Sequence, residues 1–196
     1  MQSKPIAIAA IVMGLGLSGS AMAATPSPTM LGNTCAGCHG TYGVSTGPAT
    51  PTIAGNSAEY MIEAMKAYKS GDRPSTIMGR IAKGYNDAEI EAMAKYFAGQ
   101  KYALASQKSS ASMAKKGAKL HDKYCEKCHS EGGTLAEDES GFLGGQWKLY
   151  TQYSLEDFMS GKREMTKKMK KKLKKMHKKA GDKGIAEVIE YYASQK

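Results

Sequence analysis

Apolar residues recur at helical spacing along this chain, and no segment alternates apolar and polar residues over a sustained run. In SAEYMIEAMKAYKSG the positions on one helix face are Tyr60, Met61, Ala64, Met65 and Tyr68. Gly71 closes that helix, and an Asn-Asp pair starts a second one in NDAEIEAMAKYFAG. The apolar stripe of the second helix consists of Ile90, Met93, Ala94 and Phe97. These patterns predict an all-α protein with irregular loops rich in Gly and Pro.

The pattern occurs twice. Ile53-Ala54-Gly55 matches Leu143-Gly144-Gly145, and Tyr60 matches Tyr150, both at an offset of 90. Further along, Tyr96 matches Tyr191 at an offset of 95, which places an insertion of five residues in the second copy. Repeats at a fixed offset indicate two copies of one folding unit. We therefore predict these segments: a signal peptide at 1–23, a first domain at 24–100, a linker at 101–113 and a second domain at 114–196.

The N-terminal segment has the composition of a secretory signal. MQSKPIAIAAIVMGLGLSGSAMA contains one early Lys, a short apolar run and Ala-Met-Ala before Ala24. The apolar run is too short and too rich in glycine for a membrane span. No later segment is apolar enough to span a membrane either. We expect an exported, periplasmic chain that begins near Ala24 and has no membrane span after signal removal.

Basic residues are in excess, with 28 Lys+Arg against 18 Asp+Glu and a formal net charge of +10. Most of the excess lies in GKREMTKKMKKKLKKMHKKAGDKG, where 11 basic residues between Lys162 and Lys179 face a single acid, Glu164. A solvated helix face is the ordinary interpretation of such a run. Because exported proteins rarely meet nucleic acid, an acidic protein is the better alternative partner.

The only four cysteines form two boxes, CAGCH from Cys35 to His39 and CEKCH from Cys125 to His129. Structural disulfides would be unusual at this spacing, and a thioredoxin-like motif needs a βαβ context that the chain lacks. Zinc ribbons place their cysteine pairs much closer together. Cys-x-x-Cys-His is the signature of c-type haem attachment, and here it repeats in register with the folding units. We predict two covalent haems, which also replace the large apolar residues that each small unit lacks.

The signature assigns most of the site residues. Cys35 and Cys38 attach the first haem and Cys125 and Cys128 the second, with His39 and His129 as axial ligands to iron. The other two histidines, His121 and His177, are predicted to be surface residues.

Methionine is the candidate for the opposite face of each iron. Met78 is predicted to lie in a loop between two helices, from which its thioether reaches the first haem; a buried packing role is the alternative. In the second unit the repeat offset favours Met169, with Met165 in reserve. However, Met165, Met169, Leu173 and Met176 also share a helical stripe that is typical of a core face. Two irons with His/Met coordination would have no free position, which favours electron transfer over catalysis at the haem.

Several stretches carry a resemblance to a known family. CAGCHG, GPATPTIAG, IMGRIAKGY and AKYFAG resemble dihaem cytochromes of the class I cytochrome c type. More specifically, STIMGRIAKGY, KLHDKYCEKCHSEGG and the GKREM region resemble the cytochrome subunit of flavocytochrome c sulfide dehydrogenase. The resemblance implies two tandem class I cytochrome c-like domains, each wrapped around its haem. It also implies that the carbonyl of Pro51 holds the His39 ring, a role that Gly141 would have to take in the second unit.

The same resemblance implies a non-catalytic role. A partner subunit containing FAD would oxidise sulfide, and this chain would pass the electrons to a soluble cytochrome c acceptor. One alternative is a free dihaem respiratory carrier with no flavin partner. A dihaem peroxidase is a third possibility, and it would need one open or exchangeable iron position.

Overall fold

The computed structural model describes residues 26–196, so the predicted signal peptide at 1–23 lies outside the described residues. Within this range the backbone forms nine α-helices and a 3₁₀ turn at Thr41–Gly43, with one isolated bridge between Glu137 and Ser140 and no strand. The helices are α1 Pro28–Asn33, α2 Ala36–His39, α3 Ala58–Ser70, α4 Met78–Ala82, α5 Asp87–Ala98, α6 Ala111–Tyr124, α7 Ser130–Gly133, α8 Lys148–Met159 and α9 Lys167–Ser194. The all-α prediction is confirmed.

The helices of the first half begin and end where the local chemistry predicts. The hydroxyl of Ser57 accepts a hydrogen bond from the N–H of Tyr60 and caps α3, which ends at Gly71 in the left-handed conformation (φ 94°). Asn86 and Glu89 form a reciprocal capping box at the start of α5. These caps supply hydrogen-bond partners to end groups of each helix that have no intrahelical partner.

In the second half, α9 takes the place of two helices. The first half has the short α4, a break and then α5, whereas α9 continues from Lys167 to Ser194 with a local break at Gly181 (φ 62°). The repeat offset changes from 90 to 95 between Arg163 and Ile185, a span that α9 occupies from Lys167 onward. α6 begins at Ala111, inside the segment predicted as linker, so the predicted domain limits remain a proposal.

Each half is held by a crossing of its first and last helices. In the first half, Gly32 of α1 lies against the ring of Tyr96 in α5. In the second half, Gly117 of α6 lies against the carbonyl of Glu187 in α9. Glycine permits this approach because a Cβ at either position would overlap the opposing helix.

The apolar clusters at these crossings are small. The three clusters have these buried members: Leu31, Ile90 and Met93; Met61, Ala94 and Phe97; Met176, Val188 and Tyr192. Cys35 packs against both clusters of the first half. The first thiol of the first Cys-x-x-Cys-His box thus lies beside the apolar core of its unit.

Polar contacts join the two halves. The side-chain amide of Gln146 accepts a hydrogen bond from the N–H of Thr52 and donates one to its carbonyl, both at 2.9 Å. The indole N–H of Trp147 donates to the carbonyl of Ser45 at 3.3 Å, and the Tyr102 and Phe142 rings stack at 3.7 Å. Gln146 and Thr52 are 3% and 1% exposed, so this junction excludes water.

None of the helices within residues 26–196 has both the length and the apolar character that crossing a bilayer requires. The longest helix, α9, carries most of the lysine-rich run.

Candidate functional site

The first Cys-x-x-Cys-His box folds into a tight helical turn. Both Cys38 and His39 donate their backbone N–H to the carbonyl of Cys35, at 3.2 and 2.9 Å. At spacings of three and four residues, the two thiols and the imidazole project from one side of the turn. Both thiols are free, and burial raises the pKa of the Cys35 thiol.

His39 is held in one orientation. Its ring is 8% exposed, and Nδ1 lies 2.8 Å from the carbonyl oxygen of Pro51. A carbonyl can only accept, so Nδ1 donates and Nε2 is left with a free lone pair. Burial also lowers the pKa of His39, which favours the neutral imidazole that binds metals. The predicted Pro51 contact is confirmed.

The second box repeats the turn. Cys128 and His129 both donate their N–H to the carbonyl of Cys125 at 3.0 Å. Burial lowers the pKa of His129, as it does for His39. Within residues 26–196 the His129 ring has no hydrogen bond like that to Pro51, and Gly141 stands at the repeat position. The two imidazoles therefore lie in unequal settings.

The candidate methionine ligands lie in comparable places. Met78 is half-buried and begins α4, so the prediction that it lies in a loop is wrong; the chain enters a helix at that residue. Met169 is also half-buried and lies in the first turn of α9, where its N–H donates to the Thr166 hydroxyl. Met165 precedes that helix, so it does not belong to the predicted stripe. Met176 is 2% exposed and packs in the core.

One sequence prediction about histidine is wrong. His121 was expected at the surface but is fully buried, because α6 turns this face toward α9. Its Nδ1 lies 3.0 Å from the hydroxyl of Tyr192 and its Nε2 lies 2.5 Å from the carboxylate of Glu126. By contrast, His177 is partly exposed, and its Nε2 lies 2.8 Å from the exposed carboxylate of Asp182.

A cluster of arginines and tyrosines between the halves was not predicted. Arg73 is 8% exposed, donates to the Tyr150 hydroxyl at 3.0 Å and stacks on the Tyr68 ring at 4.7 Å. Arg163 stacks on the Phe158 ring at 4.2 Å. Both arginines line a cleft of about 790 Å³ that also includes Tyr60. The sequence did carry a signal, since Arg73 and Arg163, like Tyr60 and Tyr150, are separated by the repeat offset of 90.

The electrostatics of this cleft are mixed, because its two arginines share the lining with six acidic residues: Glu59, Glu63, Asp72, Asp138, Glu139 and Glu164. Although burial acts to raise it, the guanidinium groups of Arg73 and Arg163 hold the pKa of Tyr60 below its ordinary value. Burial raises the pKa of Tyr68 to about 12. Across residues 26–196, neither arginine makes an ion pair with a carboxylate of the protein. Arg73 is buried, and a buried guanidinium without an anionic partner is costly, so within this cleft its guanidinium is the group suited to pair with a ligand carboxylate.

These features fit a c-type haem in each half. Each half offers two thiols for thioether bonds and an imidazole with its metal-binding form favoured. Arg73 lies where the two halves meet, since it donates to Tyr150 of the second half, and a guanidinium can pair with a carboxylate. The apolar clusters have three buried members each, so a large apolar group would add to the core of each half.

Comparisons with known proteins agree with this fit. The family model described as "Cytochrome c" matches residues 28–101. The chain is 30% identical over 177 residues to cytochrome c4 of Stutzerimonas stutzeri, covering 80% of this chain and 83% of that protein.

A second relative matches more strongly over a shorter stretch. The cytochrome subunit of sulfide dehydrogenase of Chlorobaculum tepidum is 50% identical over 68 residues, which is 35% of this chain and 61% of that protein. The crystal structure of reduced recombinant cytochrome c4 from Pseudomonas stutzeri superposes with a TM-score of 0.73 at 24% identity, over 88% of this chain and 100% of that one. At this identity the likeness shows the fold, with its two tandem class I cytochrome c units.

Proposed function

The chain belongs to the cytochrome c family, in the dihaem group that includes cytochrome c4, and it is an electron-transfer protein with two c-type haems. From this premise we propose that it is the periplasmic electron-transfer subunit of a sulfide dehydrogenase. It accepts electrons from an FAD-containing partner subunit and passes them to a soluble cytochrome c. The observation that carries the choice of donor is the 50% identity to the cytochrome subunit of a sulfide dehydrogenase.

When bound, each haem supplies an iron that takes up and releases one electron. Cys35 and Cys38 would hold the first haem through thioether links, and Cys125 and Cys128 the second. The residues that would hold the iron are proposed to be these: His39 and Met78 in the first half, and His129 and Met169 in the second. Two protein ligands to each iron would leave no position for a substrate, which suits a carrier of electrons.

The arginine cluster is proposed to bind haem carboxylates from both halves. Arg73 belongs to the first half and Arg163 to the second, and both line one cleft. The Arg73 guanidinium also donates a hydrogen bond to the hydroxyl of Tyr150 in the second half. Ligand carboxylates drawn to a shared cleft would bring the two haems close together. A short separation between redox groups is what an internal electron path needs.

A basic cleft beside the second attachment box is proposed as the docking surface for the acceptor. Its lining residues are Lys123, Tyr124, Lys171, Lys172, Lys175 and Lys179, around a volume of about 390 Å³. Lys172 is close enough to Cys125 to counteract in part the burial that raises the pKa of that thiol. An acidic acceptor would therefore be steered to the second haem.

The acceptor proposal is tested by stopped-flow oxidation of the reduced protein with an acidic cytochrome c. Replacing Lys171, Lys172 and Lys175 by glutamine should lower the association rate tenfold or more at low ionic strength, with the difference shrinking as salt is added. A matched triple, Lys101, Lys115 and Lys119 to glutamine, removes the same charge from outside this cleft. Equal rates in the two triples would refute docking at this surface.

Periplasmic location is part of the proposal. It rests on the signal-like pattern of residues 1–23, which predicts export and a mature chain that begins near Ala24.

A free dihaem carrier remains the second candidate, because relatives named cytochrome c4 align over 80% of the chain at 29–30% identity. Purification of the native protein separates the two candidates. Under the sulfide dehydrogenase proposal, the chain co-elutes with a flavoprotein and sulfide reduces its haems. If it elutes alone and sulfide leaves its haems oxidised, while a respiratory donor reduces them, the free-carrier candidate stands instead.

A further inference from the structure

We propose that His121, Glu126 and Tyr192 are positioning residues that hold the His129 segment through its backbone, in place of the carbonyl that holds His39 through its ring. The inference rests on the proposed role of His129 as an iron ligand. It concerns a buried hydrogen-bond network in the second half that the electron-transfer function, as described so far, does not use.

The network replaces apolar packing. His121 lies at the repeat position of Leu31, which is 4% exposed and part of the first apolar core, and Tyr192 lies at that of Phe97. A buried imidazole is tolerated only when its ring nitrogens have partners. Tyr192 and Glu126 supply one partner each, at 3.0 and 2.5 Å. Apolar residues would fill these positions equally well, so the polar groups suggest a role other than packing.

Glu126 connects this buried histidine to the backbone around His129. Its carboxylate accepts the N–H of Glu131 at 3.0 Å and that of Gly132 at 3.2 Å. Those two residues form a left-handed turn, with φ of 54° and 68°, directly after the second box. On the other side, the carbonyl of His121 accepts the N–H of Cys125 at 2.7 Å and that of Glu126 at 2.9 Å. The network thus anchors the chain both before and after His129.

The first half lacks the three side chains of this network. The repeat position of Glu126 is Ala36, which has no side-chain acceptor, and the positions of His121 and Tyr192 are apolar. There, the Pro51 carbonyl accepts from the His39 ring at 2.8 Å. Conversely, the part of the second half that the structure describes shows no acceptor on the His129 ring. The two halves therefore use different means to hold the corresponding ligand.

This difference has a consequence for the iron. A carbonyl on Nδ1 makes an imidazole a stronger donor to its metal, and the orientation of an axial ligand tunes the potential. Holding His129 by its flanking backbone fixes the ring position while leaving Nδ1 without that carbonyl. The network lets the second site keep a defined geometry with a potential unlike that of the first.

The test uses the full protein carrying both haems. Redox titration and ferric electron paramagnetic resonance spectra are recorded for Glu126→Ala and Glu126→Gln. In Glu126→Ala the potential of the second haem should shift and its resonance signal should broaden, while the first haem stays unchanged as an internal reference. Glu126→Gln keeps an oxygen acceptor in the same place, so it should fall between the parent protein and Glu126→Ala. The Glu126 side chain is 42% exposed, so replacing it by the similarly sized glutamine should leave the protein folded.

The control is Glu131→Gln, which removes an equal charge from the same turn but leaves its backbone N–H on Glu126. If both Glu126 variants match this control in the potential and signal of the second haem, the proposal is overturned. The ligand role is tested apart by His129→Ala. If the second-haem spectrum of His129→Ala matches that of the parent protein, His129 is not the ligand. If that spectrum changes but the Glu126 variants match the Glu131→Gln control, His129 is the ligand and only the proposed network is refuted.

Discussion

At the scale of single residues, the four histidines show how environment decides the role of one side-chain type. His39 and His129 both end a Cys-x-x-Cys-His turn, yet among residues 26–196 a backbone acceptor is found for the His39 ring and none for the His129 ring. His121 is fully buried between a phenol and a carboxylate. His177 pairs with an exposed aspartate near the surface. Position in the fold, more than residue type, separates a ligand from a structural group.

The choice of thioether ligand in the second half is testable at this scale. Met169→Ala should remove one of the two thioether signatures in the visible spectrum of the ferric protein and lower the potential of the second haem, because thioether ligation raises the potential. Met165→Ala is the matched control and should resemble the parent. The opposite pattern, with loss of the signature in the Met165 variant only, would make Met165 the ligand.

The arginine cluster provides a second residue-scale prediction. Arg73→Ala removes a buried cation beside the proposed haem carboxylates, so it favours the more positive, oxidised iron and should lower at least one potential. Loss of its hydrogen bond to Tyr150 should also reduce the free energy of unfolding by about 1–3 kcal/mol. Arg80→Ala is the control, since Arg80 is exposed and donates only to the carbonyl of Thr76. Potentials that match this control would place the carboxylates elsewhere.

At the scale of elements, one helix crossing holds each unit together. α1 meets α5 at Gly32 and α6 meets α9 at Gly117, but the opposing atoms differ. At Gly32 the neighbour is an aromatic ring, which can rotate or shift. At Gly117 it is a backbone carbonyl, which can move only with its helix. The second crossing is therefore the less tolerant of added volume.

Gly117→Ala should accordingly be the more damaging substitution. The added methyl forces α6 and α9 apart, which we expect to cost about 3 kcal/mol or more, against about 1–2 kcal/mol for Gly32→Ala. Urea unfolding followed by far-ultraviolet circular dichroism measures both. Gly99→Ala is the control, because a Cβ there meets only ordinary contacts at 3.6 Å. Equal midpoints for Gly117→Ala and Gly99→Ala would contradict a tight crossing.

At the scale of the whole molecule, buried polar contacts join the two halves. The bidentate pair between Gln146 and the Thr52 backbone is the most enclosed of them. The segment after α5 strengthens the junction, since the Ala105 N–H donates to the carbonyl of Gly145 at 2.7 Å and the Tyr102 hydroxyl donates to that of Gly144 at 2.9 Å. This part of the predicted linker is packed against the second half.

Gln146→Leu tests the junction. It leaves the N–H and carbonyl of Thr52 buried without partners, at a cost of about 1–3 kcal/mol for each group. Calorimetry should show a lower unfolding temperature and a transition that separates into two, one for each half. Gln152→Leu is the matched control, since Gln152 bonds only to Glu156 on an exposed surface. A single transition at the parental temperature in Gln146→Leu would show that the halves are joined by other contacts.

Several features of this protein follow from local chemistry alone, without reference to the tertiary fold. The cap signals at α3 and α5 depend on neighbouring residues only, and so does the haem-attachment signature, because its thiols and imidazole must lie on one turn. The repeat offset is also a property of the sequence alone, because matching residues recur at a fixed interval.

Other features depend on residues far apart in the chain, so only the tertiary structure decided them. His121 looked like a surface residue until α6 packed against Tyr192, 71 positions away. Arg73 and Arg163 could be paired as repeats in the sequence, but whether they share a cleft depends on how the halves meet. Spacing along the chain specifies which groups share a turn. Burial and pairing between distant residues come from packing, and packing here makes two similar haem sites unequal.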